Sequence, residues 1–312
     1  MAKVKSRSRP ANARRYSLGG AATDVPELAG GLYLVATPIG NLGDVTLRAL
    51  ETLAGADLIA CEDTRVTRRL LDRYAMATPL TPYHDHNAET ARPKLLRRLA
   101  EGAAIALVSD AGTPLVSDPG YKLARGAHEA GSAVTAVPGA SALLAALTVS
   151  GLPTDQFFFA GFLPPKETAR RSRIAALARI PATLILFEGG SRIAATLANL
   201  AAELGAREAA LCRELTKMHE EVRRGDLVAL AESAAGGELR GEFVLVIGPP
   251  AAERPGAGDT DLLLQQALAR VSVKDAVGEV AEATGLPRRE IYQRALALAK
   301  EAGRKADHGA TD

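Results

Sequence analysis

Almost unbroken apolar runs recur in the first half of this chain and constrain its fold most strongly. They cover residues 32–36, 57–61, 104–108 and 133–137. Short runs without polar alternation are typical of strands that are covered on both faces, as parallel strands are. Helical patterns lie between them, for example at residues 64–74 and 88–100. This alternation predicts a doubly wound parallel α/β sheet, and we expect Asp44 to cap its first helix.

A second α/β set begins near Gly151. Its predicted strands are residues 157–159, 183–187, 208–212 and 242–247, and its predicted helices are residues 168–179 and 193–204. The length of 312 residues is also about twice the usual size of a single domain. The sequence therefore predicts two α/β domains, at residues 30–150 and 151–250.

A linker rich in proline and glycine runs from Pro249 to Gly258. Beyond it the sequence predicts three short helices at residues 262–271, 274–284 and 288–300, with a tight turn at Gly285-Leu286-Pro287. The last two resemble a helix-turn-helix. We expect a small helical unit at residues 258–304 that either docks on RNA or packs against another protein surface.

Composition narrows the class of protein. The first fifteen residues carry six Lys or Arg and no acid, which predicts a basic disordered tail over residues 1–29. The whole chain is 47% apolar and 24% charged, which excludes a disordered protein. Its two cysteines argue against a disulfide scaffold and fit a reducing compartment.

One uncharged stretch, residues 131–154, is long enough to span a bilayer. Pro138-Gly139 interrupts it, and Ser and Thr occur along it, which favours a strand, a turn and a buried helix. The N-terminus has no apolar core of the kind that a secretory signal needs. We therefore expect a cytoplasmic protein without membrane contact.

Loops with unusual composition follow three of the predicted strands. The first, Thr37–Asp44, is neither a Walker loop nor a dinucleotide fingerprint, so ligand binding and a simple tight turn both stay open. In the second, Val108–Pro114, Asp110 beside Thr113 is suited to accept a hydrogen bond from a ligand, and consecutive Asx-turns are the alternative. The third, Pro138–Ala142, also suits an ordinary helix cap. Loops after strands of one parallel sheet meet at one edge.

Together with other long phrases, these loops resemble the bacterial ribosomal RNA small subunit methyltransferase I family, within the tetrapyrrole (corrin/porphyrin) methylase superfamily. The resemblance runs from Gly31 to about Ile247 and continues more weakly into the last helices. The phrases are Leu32–Thr46 with its Ala-Thr-Pro-Ile-Gly-Asn-Leu-Gly-Asp core, Cys61–Arg65, Tyr83–Asn87, Ser109–Tyr121, Pro138–Ala142, Ser150–Asp155, Gly161–Pro164, Arg213–Lys217 and Gly241–Ile247.

This resemblance implies a two-domain, usually homodimeric enzyme that methylates a cytidine 2′-hydroxyl in the decoding region of 16S rRNA in the 30S subunit. The donor, S-adenosylmethionine, would lie in the cleft between the domains. By the same resemblance, the donor site would be lined by Pro38, Asp110, Thr113, Ser141, Ala142, Phe187 and Glu188. The chain departs from the family at Gly190-Ser191-Arg192, where a Pro-His-Arg is usual. Arg192 keeps an open role in donor or phosphate contact.

A ribose 2′-hydroxyl is a poor nucleophile until it loses its proton, so a base or a stabilising cation is expected. The candidates are Glu62, Asp63, Arg65, Glu188, Arg213, Glu214 and Lys217. Adjacent residues of an extended segment face opposite sides, so only one of Glu62 and Asp63 enters a cleft. We assign the base to Asp63 and a phosphate contact to Arg65. This chemistry needs no metal.

Basic side chains predict the RNA contacts. One predicted helix carries Lys166, Arg170, Arg171 and Arg173, which form either a phosphate track or a solvated face. The last helix adds Arg288 and Arg289. His84 and His86 share a face of an extended segment, where a metal pair, an RNA contact and a plain turn all stay open. Since no cysteine lies near them in the sequence, we predict no metal.

Two rival functions remain at this point. A methylase that acts on carbon of a tetrapyrrole precursor shares the fold, but the basic segments and the long rRNA-type phrases argue against it. A non-catalytic RNA-binding or ribosome-assembly protein is the second rival. Intact donor loops argue against such a non-catalytic protein. A calorimetric titration with the methyl donor separates a methyltransferase from a non-catalytic protein.

Overall fold

The computed structural model describes residues 14–117, 120–237, 239–251 and 257–308, and the side chains of 257–259 and 299–308 are not considered. The chain divides into two compact units, residues 1–249 and 250–312. The larger unit contains two sheets of five strands and a small hairpin. In the described part of the chain, no helix is long and apolar enough to cross a membrane.

The first large sheet belongs to what we call the N-terminal lobe, residues 31–150. Its elements are β3 (Gly31–Val35), α1 (Leu47–Gly55), β4 (Leu58–Cys61), α2 (Thr64–Arg73), β5 (Leu80–Pro82), α3 (Ala88–Ala100), β6 (Ala104–Val108), α4 (Tyr121–Glu129), β7 (Val134–Val137) and α5 (Ala142–Ser150). The strands lie in the order β5-β4-β6-β3-β7, and every pairing is parallel. The predicted doubly wound parallel sheet is confirmed.

Burial on both faces explains the apolar runs of β3, β4 and β6, whereas the prediction is wrong for the edge strand β7, whose residues 134–136 are exposed. Leu32 of β3 packs into one core cluster, and Val35 of the same strand packs into another. Because β3 lies between β6 and β7, the loops after these three strands meet at one edge of the sheet.

The second large sheet belongs to the C-terminal lobe, residues 157–247. Its elements are β8 (Phe157–Phe162), α6 (Glu167–Leu177), β9 (Thr183–Gly189), α7 (Gly190–Leu204), β10 (Glu208–Arg213), β11 (Glu221–Asp226), α8 (Leu227–Ala234) and β12 (Glu242–Ile247). The order is β11-β10-β12-β9-β8, and only β8 and β9 pair in parallel. The domain boundary at residue 150 stays a prediction, and the two sheets lie on either side of it.

One core cluster joins the two lobes. Ala146 and Leu147 of α5 and Ile39 of the loop after β3 pack in it with Ile185 and Val246 of the second sheet. The edge of the first sheet is thereby held against the second sheet within one compact unit.

The N-terminal segment corrects one prediction. The strands β1 (Arg15–Leu18) and β2 (Ala21–Asp24) form an antiparallel hairpin, so residues 14–29 are not a disordered tail. Tyr16 packs into the core of the N-terminal lobe, and the guanidinium of buried Arg14 lies 2.8 Å from Asp57. An aromatic anchor and an ion pair explain why this segment is ordered despite its polar sequence. Residues 1–13 of the predicted tail lie outside the described residues.

The first helix begins differently from the prediction. Asn41 caps a single 3₁₀ turn at Leu42–Asp44, and the Thr46 hydroxyl then accepts a hydrogen bond from the Ala49 amide at the start of α1. The assignment of the cap to Asp44 is therefore wrong. Extended backbone at Val45 separates the two turns, which places Thr46 directly before the helix.

The described residues of the smaller unit form three helices, as predicted. They are α9 (Ala257–Leu268), α10 (Val273–Thr284) and α11 (Arg288–His308), packed around a core that includes Leu264, Val277 and Ile291. Gly285 ends α10 in the left-handed region at φ 67°, which lets the chain reverse before α11.

Candidate active site

A cavity of about 370 Å³ lies where the edge of the first sheet faces the second sheet. The loops after β3, β6 and β7 line it from the N-terminal lobe, and β8, β9 and β12 line it from the C-terminal lobe. Six of the seven residues predicted for a donor site line this cavity, namely Asp110, Thr113, Ser141, Ala142, Phe187 and Glu188. Pro38 does not, but its neighbour Ile39 does.

The three loops of the N-terminal lobe are tied to one another at the cavity. Thr37 and Gly112 exchange two backbone hydrogen bonds of 2.9 and 3.0 Å, which joins the first loop to the second. The Thr113 hydroxyl donates to the Ala140 carbonyl at 3.2 Å, which joins the second loop to the third. Sequence-distant segments thus form one rigid wall.

Asp110 connects the wall to the end of β4. Its Oδ1 accepts a hydrogen bond of 2.9 Å from the Asp63 amide. The hydrogen bonds described for Asp110 include none to the amides that follow it, so the Asx-turn alternative does not describe this residue. Its half-buried carboxylate is an acceptor at the cavity wall.

Glu188 lines the cavity, but its carboxylate is already bound inside the C-terminal lobe. It accepts hydrogen bonds from the Gly189 amide at 3.0 Å, from Arg192 at 3.1 Å and from the Thr196 hydroxyl at 2.7 Å. The Arg192 guanidinium also donates to the Leu163 carbonyl at 2.6 Å. Both side chains therefore stabilise the start of α7, and Arg192 is not among the residues that line the cavity.

The three residues predicted to be catalytic lie outside the cavity lining. Asp63 is the N-cap of α2, where its carboxylate accepts from the Arg65 amide at 2.8 Å and pairs with the Arg65 side chain at 2.6 Å. Hydrogen bonds from Arg65 lower the pKa of Asp63 to about 2. The Asp63 carboxylate thus caps α2 outside the cavity lining, so the structure argues against its assignment as the base. Half-buried Glu62 and exposed Arg65 do not line the cavity either.

The basic helix α6 corrects a second group of predictions. Arg170 is 6% exposed, and it donates to Asn199 Oδ1 at 2.7 Å and to the Pro165 carbonyl at 3.1 Å. An RNA contact for Arg170 is therefore wrong, because its guanidinium is used within the lobe. Arg171 is exposed and pairs with Glu203 at 2.7 Å, while Lys166 and Arg173 are exposed.

His84 and His86 lie beside each other, with ring centroids 5.9 Å apart. A metal site would need further ligands, and the described residues contain no group of three His, Cys, Asp or Glu side chains placed to hold an ion. His86 instead lines a second cavity of about 470 Å³ together with Arg92 and Tyr121.

In the smaller unit, Arg288 lines a groove of about 430 Å³ with Lys274 and Tyr292. Arg289 is exposed beside it. Arg294 is not available to a ligand in the same way, because its guanidinium forms a fork with both oxygens of Asp261 at 2.7 and 2.9 Å.

Comparison with known proteins places these features in a family. Residues 31–231 match the family model of tetrapyrrole (corrin/porphyrin) methylases, and residues 254–299 match that of the RsmI C-terminal HTH domain. The chain is 51% identical over 285 residues to the ribosomal RNA small subunit methyltransferase I of Mesorhizobium japonicum, with 90% of this chain and 97% of that protein covered. The chain belongs to the ribosomal RNA small subunit methyltransferase I family. A second member, from Erythrobacter litoralis, is 50% identical over 87% of this chain and 96% of its own length.

Solved structures show the same fold for this methyltransferase family member. A uroporphyrin-III C-methyltransferase from Thermus thermophilus, complexed with S-adenyl homocysteine, is 26% identical, with a TM-score of 0.50 over 70% of this chain and 97% of that one. A cobalt precorrin-4 methyltransferase has a TM-score of 0.54 at 18% identity over 70% of this chain and 94% of its own. The predicted fold class of two methylase-type α/β domains with a C-terminal helical unit is confirmed.

Sequence reasoning missed several residues of the cavity. Ile39, Ser117, Phe162, Glu242 and Phe243 line it but were not predicted. Phe162 and Glu242 lie in two motifs that carry the family resemblance, Gly161–Pro164 and Gly241–Ile247. These motifs were the sequence signal from which both residues could have been predicted.

Proposed function

We propose that this protein transfers a methyl group from S-adenosylmethionine to the ribose 2′-hydroxyl of a cytidine in the decoding region of 16S rRNA. The observation that carries the proposal is the cavity between the two sheets, whose wall carries Asp110 in a chain of the ribosomal RNA small subunit methyltransferase I family. The substrate is the 30S subunit or the rRNA within it.

The cavity suits the donor in size and chemistry. A volume of about 370 Å³ falls in the range of pockets that bury a small organic ligand. Ile39 and Phe187 offer apolar surface for a purine, and Phe187 is braced edge-to-face by Phe159 at a centroid distance of 4.9 Å. Asp110 offers an acceptor for a hydroxyl or amine. When bound, S-adenosylmethionine supplies an electrophilic methyl group on a sulfonium, and this chemistry requires no metal.

The residues proposed to bind the donor are chosen because they line the cavity and not from the sequence motifs alone. Asp110 and Thr113 supply polar contacts, and Ser141 and Ala142 present the start of α5. Phe187 supplies an apolar face. Glu188 contributes to the wall while its carboxylate holds α7, and Ile39 lines the cavity in place of Pro38, which the family resemblance implied.

Exposed basic side chains support contacts to rRNA phosphates. On the C-terminal lobe these are Lys166, Arg171 and Arg173, and on the helical unit Arg288 and Arg289. Arg65, whose side chain is 88% exposed, adds a basic group near the start of α2. Phosphate contacts of this kind give salt-dependent affinity without reading sequence.

A homodimer is part of the proposal. Exposed large apolar side chains are concentrated in the continuous segment from β7 to β8, and they include Val134, Leu144, Phe157, Phe158 and Phe162. Such side chains are suited to an interface between two copies of the chain. We place the protein in the cytoplasm, where ribosomal subunits mature.

Mapping 2′-O-methyl groups on 16S rRNA tests the function. A strain that lacks the protein should lose one such methyl in the decoding region, and purified protein with the donor should restore it on 30S subunits. An unchanged methyl map would overturn the proposal. Tight donor binding together with methylation of a tetrapyrrole precursor would favour the carbon methylase, and failure to bind the donor would favour a ribosome-assembly protein.

A further inference from the structure

A cluster of three charged side chains lies at the mouth of the donor cavity. The loop after β10 brings the Lys217 ammonium to 2.7 Å from Glu242 Oε2 and 3.0 Å from Glu214 Oε1. Glu242 lines the cavity, yet its side chain is 79% exposed, while that of Lys217 is 28% exposed. A group that lines a cavity and also faces solvent lies where a large substrate must enter.

Backbone hydrogen bonds fix this Lys217 cluster. The Glu214 amide donates to the Glu242 carbonyl at 3.0 Å, and the Glu242 amide donates to Glu214 Oε1 at 2.9 Å. Glu214 and Thr216 both have positive φ, at 48° and 66°. Non-glycine residues persist in this region only where surrounding contacts hold them, as happens at functional sites. The backbone of the loop therefore fixes the geometry of the cluster, which does not depend on the rotamers of freely moving surface side chains.

The loop after β3 of the N-terminal lobe packs against this loop after β10. A Cβ added at Gly40 would collide with Lys217 Cγ and would lie 3.0 Å from the Thr216 hydroxyl. Gly40 follows Ile39, which lines both the donor cavity and a small adjoining pocket of about 40 Å³ that Lys217 and Glu242 also line. The cluster is therefore held against the donor-binding loop.

Comparing the carboxylates of the cavity singles out Glu242. Among the described residues, three acidic side chains line the cavity, namely Asp110, Glu188 and Glu242. Glu188 is saturated by its three donors, and Asp110 holds the Asp63 amide on the inner wall. Glu242 uses Oε2 for Lys217, and no hydrogen bond of the described residues involves its Oε1.

We infer that Glu242 is the general base toward the RNA 2′-hydroxyl and that Lys217 is the positioning residue that holds it. This inference rests on the proposed function. As the hydroxyl oxygen forms its bond to the methyl carbon, the bond from that carbon to sulfur breaks and the hydroxyl proton passes to Glu242 Oε1. The sulfur leaves as a neutral thioether, and the protonated carboxyl later loses its proton to water.

The charges around the cluster support this division of roles. Burial by itself lowers the pKa of Lys217, but the hydrogen bonds that Lys217 donates to Glu242 and Glu214 outweigh it and raise the pKa, so the side chain stays an ammonium at neutral pH. This ammonium holds Glu242 Oε2 at 2.7 Å. Other charged groups near Glu242 in the sheet or the cavity are Glu188, Arg213, Glu214, Arg240 and Asp110.

Single-turnover methylation of 30S subunits tests the inference. Glu242→Gln should reduce the rate about 10²- to 10⁴-fold, the usual contribution of general-base catalysis. Lys217→Met should reduce it by less, and Lys217→Arg should restore part of the loss. The matched control is Glu221→Gln, which removes another ion-paired carboxylate of the same sheet that does not line the donor cavity. Its rate should equal that of the wild type.

Two further readouts separate catalysis from structure. Lys217→Met should lower the single-turnover rate at saturating 30S subunits and leave the affinity for them nearly unchanged, because Lys217 acts by holding Glu242. In binding assays, the wild type should prefer a decoding-region RNA hairpin with a ribose at the target over one with a 2′-deoxyribose, and Glu242→Gln should lose that preference. Donor affinity by calorimetry should be unchanged in both variants, which also reports that they are folded.

The outcomes distinguish the inference from the function on which it rests. Wild-type protein that neither binds nor methylates rRNA would overturn the proposed function. Wild-type methylation with an equally fast Glu242→Gln variant, or with a Lys217→Met variant that keeps the wild-type rate at saturating 30S subunits, would overturn the inference alone. Loss of donor affinity in Glu242→Gln would assign the carboxylate to donor binding and would likewise overturn it.

Discussion

Asp110 accepts a hydrogen bond from the backbone amide of Asp63, with a distance of 2.9 Å from nitrogen to Oδ1. One aspartate therefore fixes the start of helix α2 while its carboxylate lines the cavity between the sheets. The other aspartate caps that helix and pairs with Arg65. Two acids that look equivalent in the sequence thus have different roles.

Asp110→Ala should weaken the binding of S-adenosylmethionine roughly ten- to hundredfold. A hydrogen bond to a charged group at a ligand site is worth roughly 1.5–3 kcal/mol, and 1.4 kcal/mol corresponds to about tenfold in affinity. Isothermal titration calorimetry measures the change. Asp72→Ala, at an exposed position on α2, is the matched control and should bind as the wild type does. Equal affinity of the Asp110 variant and the control would remove Asp110 from the donor site.

Asp63→Asn should leave the methylation rate within about threefold of the wild type, because Asn preserves the helix cap and the carboxylate is not needed as a base. The substitution should instead change how the free energy of unfolding depends on pH. The ion pair with Arg65 lowers the pKa of Asp63 from 3.8 to about 2, so its contribution is complete above pH 4 and is lost as pH falls through 2. Urea denaturation between pH 2 and 6 measures the free energy of unfolding of the wild type and of Asp63→Asn. The difference between these two free energies should shrink toward pH 2. A large loss of rate at pH 7 would restore Asp63 as a catalytic candidate.

Thr196→Val should destabilise the protein more than Thr183→Val does. Both threonines are completely buried, but Thr196 donates to the Glu188 carboxylate and Thr183 donates to the Pro153 carbonyl. A hydrogen bond to a charged group contributes about 1.5–3 kcal/mol, against about 0.5–1.5 kcal/mol for a neutral one. Urea denaturation measures both changes, as shifts of the midpoint at an unchanged slope of unfolding free energy against urea concentration. Equal losses would mean that the carboxylate finds another donor.

Removing the helical unit should spare the donor site. All residues of the cavity precede residue 249, the end of the larger compact unit, so a chain that ends at residue 251 should bind the donor as the full chain does. Methylation of 30S subunits should be weakened, and more so as salt is raised, because phosphate contacts are lost. Loss of donor affinity would contradict the independence of the larger unit.

Within the full chain, the double substitution of Arg288 and Arg289 by Ala should reduce the slope of log affinity for rRNA against log salt by about one to two. Arg294→Ala is the matched comparison. Since Arg294 is forked to Asp261, its loss should lower the stability of the helical unit and leave the salt slope nearly unchanged. Filter-binding titrations at several salt concentrations separate the two variants, and equal slopes would show that Arg288 and Arg289 do not meet phosphates.

Gly40→Ala should slow methylation while leaving secondary structure intact. The added methyl would collide with Lys217 and would press on the Leu215 carbonyl at 3.1 Å, so the loop that holds Glu242 must shift. Gly225→Ala is the control, because an added Cβ there meets nothing within 4 Å. Rates on 30S subunits and circular dichroism spectra of both variants provide the check. A wild-type rate for Gly40→Ala would mean that the two lobes adjust freely at this contact.

Strands and the loops that line the cavity were predictable because their signals are local. Central strands covered on both faces require apolar runs, so β6 (104–108), which is parallel, and β12 (242–247), which is antiparallel, were predicted with the observed bounds. The strand β11 was missed because it lies at the sheet edge with the charged sequence EVRRGD, which has no apolar alternation. The hairpin at residues 15–24 was missed for the same reason, since single anchors such as Tyr16 hold it.

The amino-acid sequence by itself determined the α/β architecture, the edge of the first sheet at which the cavity lies and the family to which the chain belongs, since these depend on apolar periodicity and on long local phrases. Only the tertiary structure decided what each charged side chain does. Arg170 became a buried scaffold residue, Asp63 a helix cap and Glu242 a carboxylate at the cavity mouth that pairs with Lys217. The reason is physical: a charge acts according to the partners that packing brings within about 3 Å of it, and those partners come from distant parts of the chain.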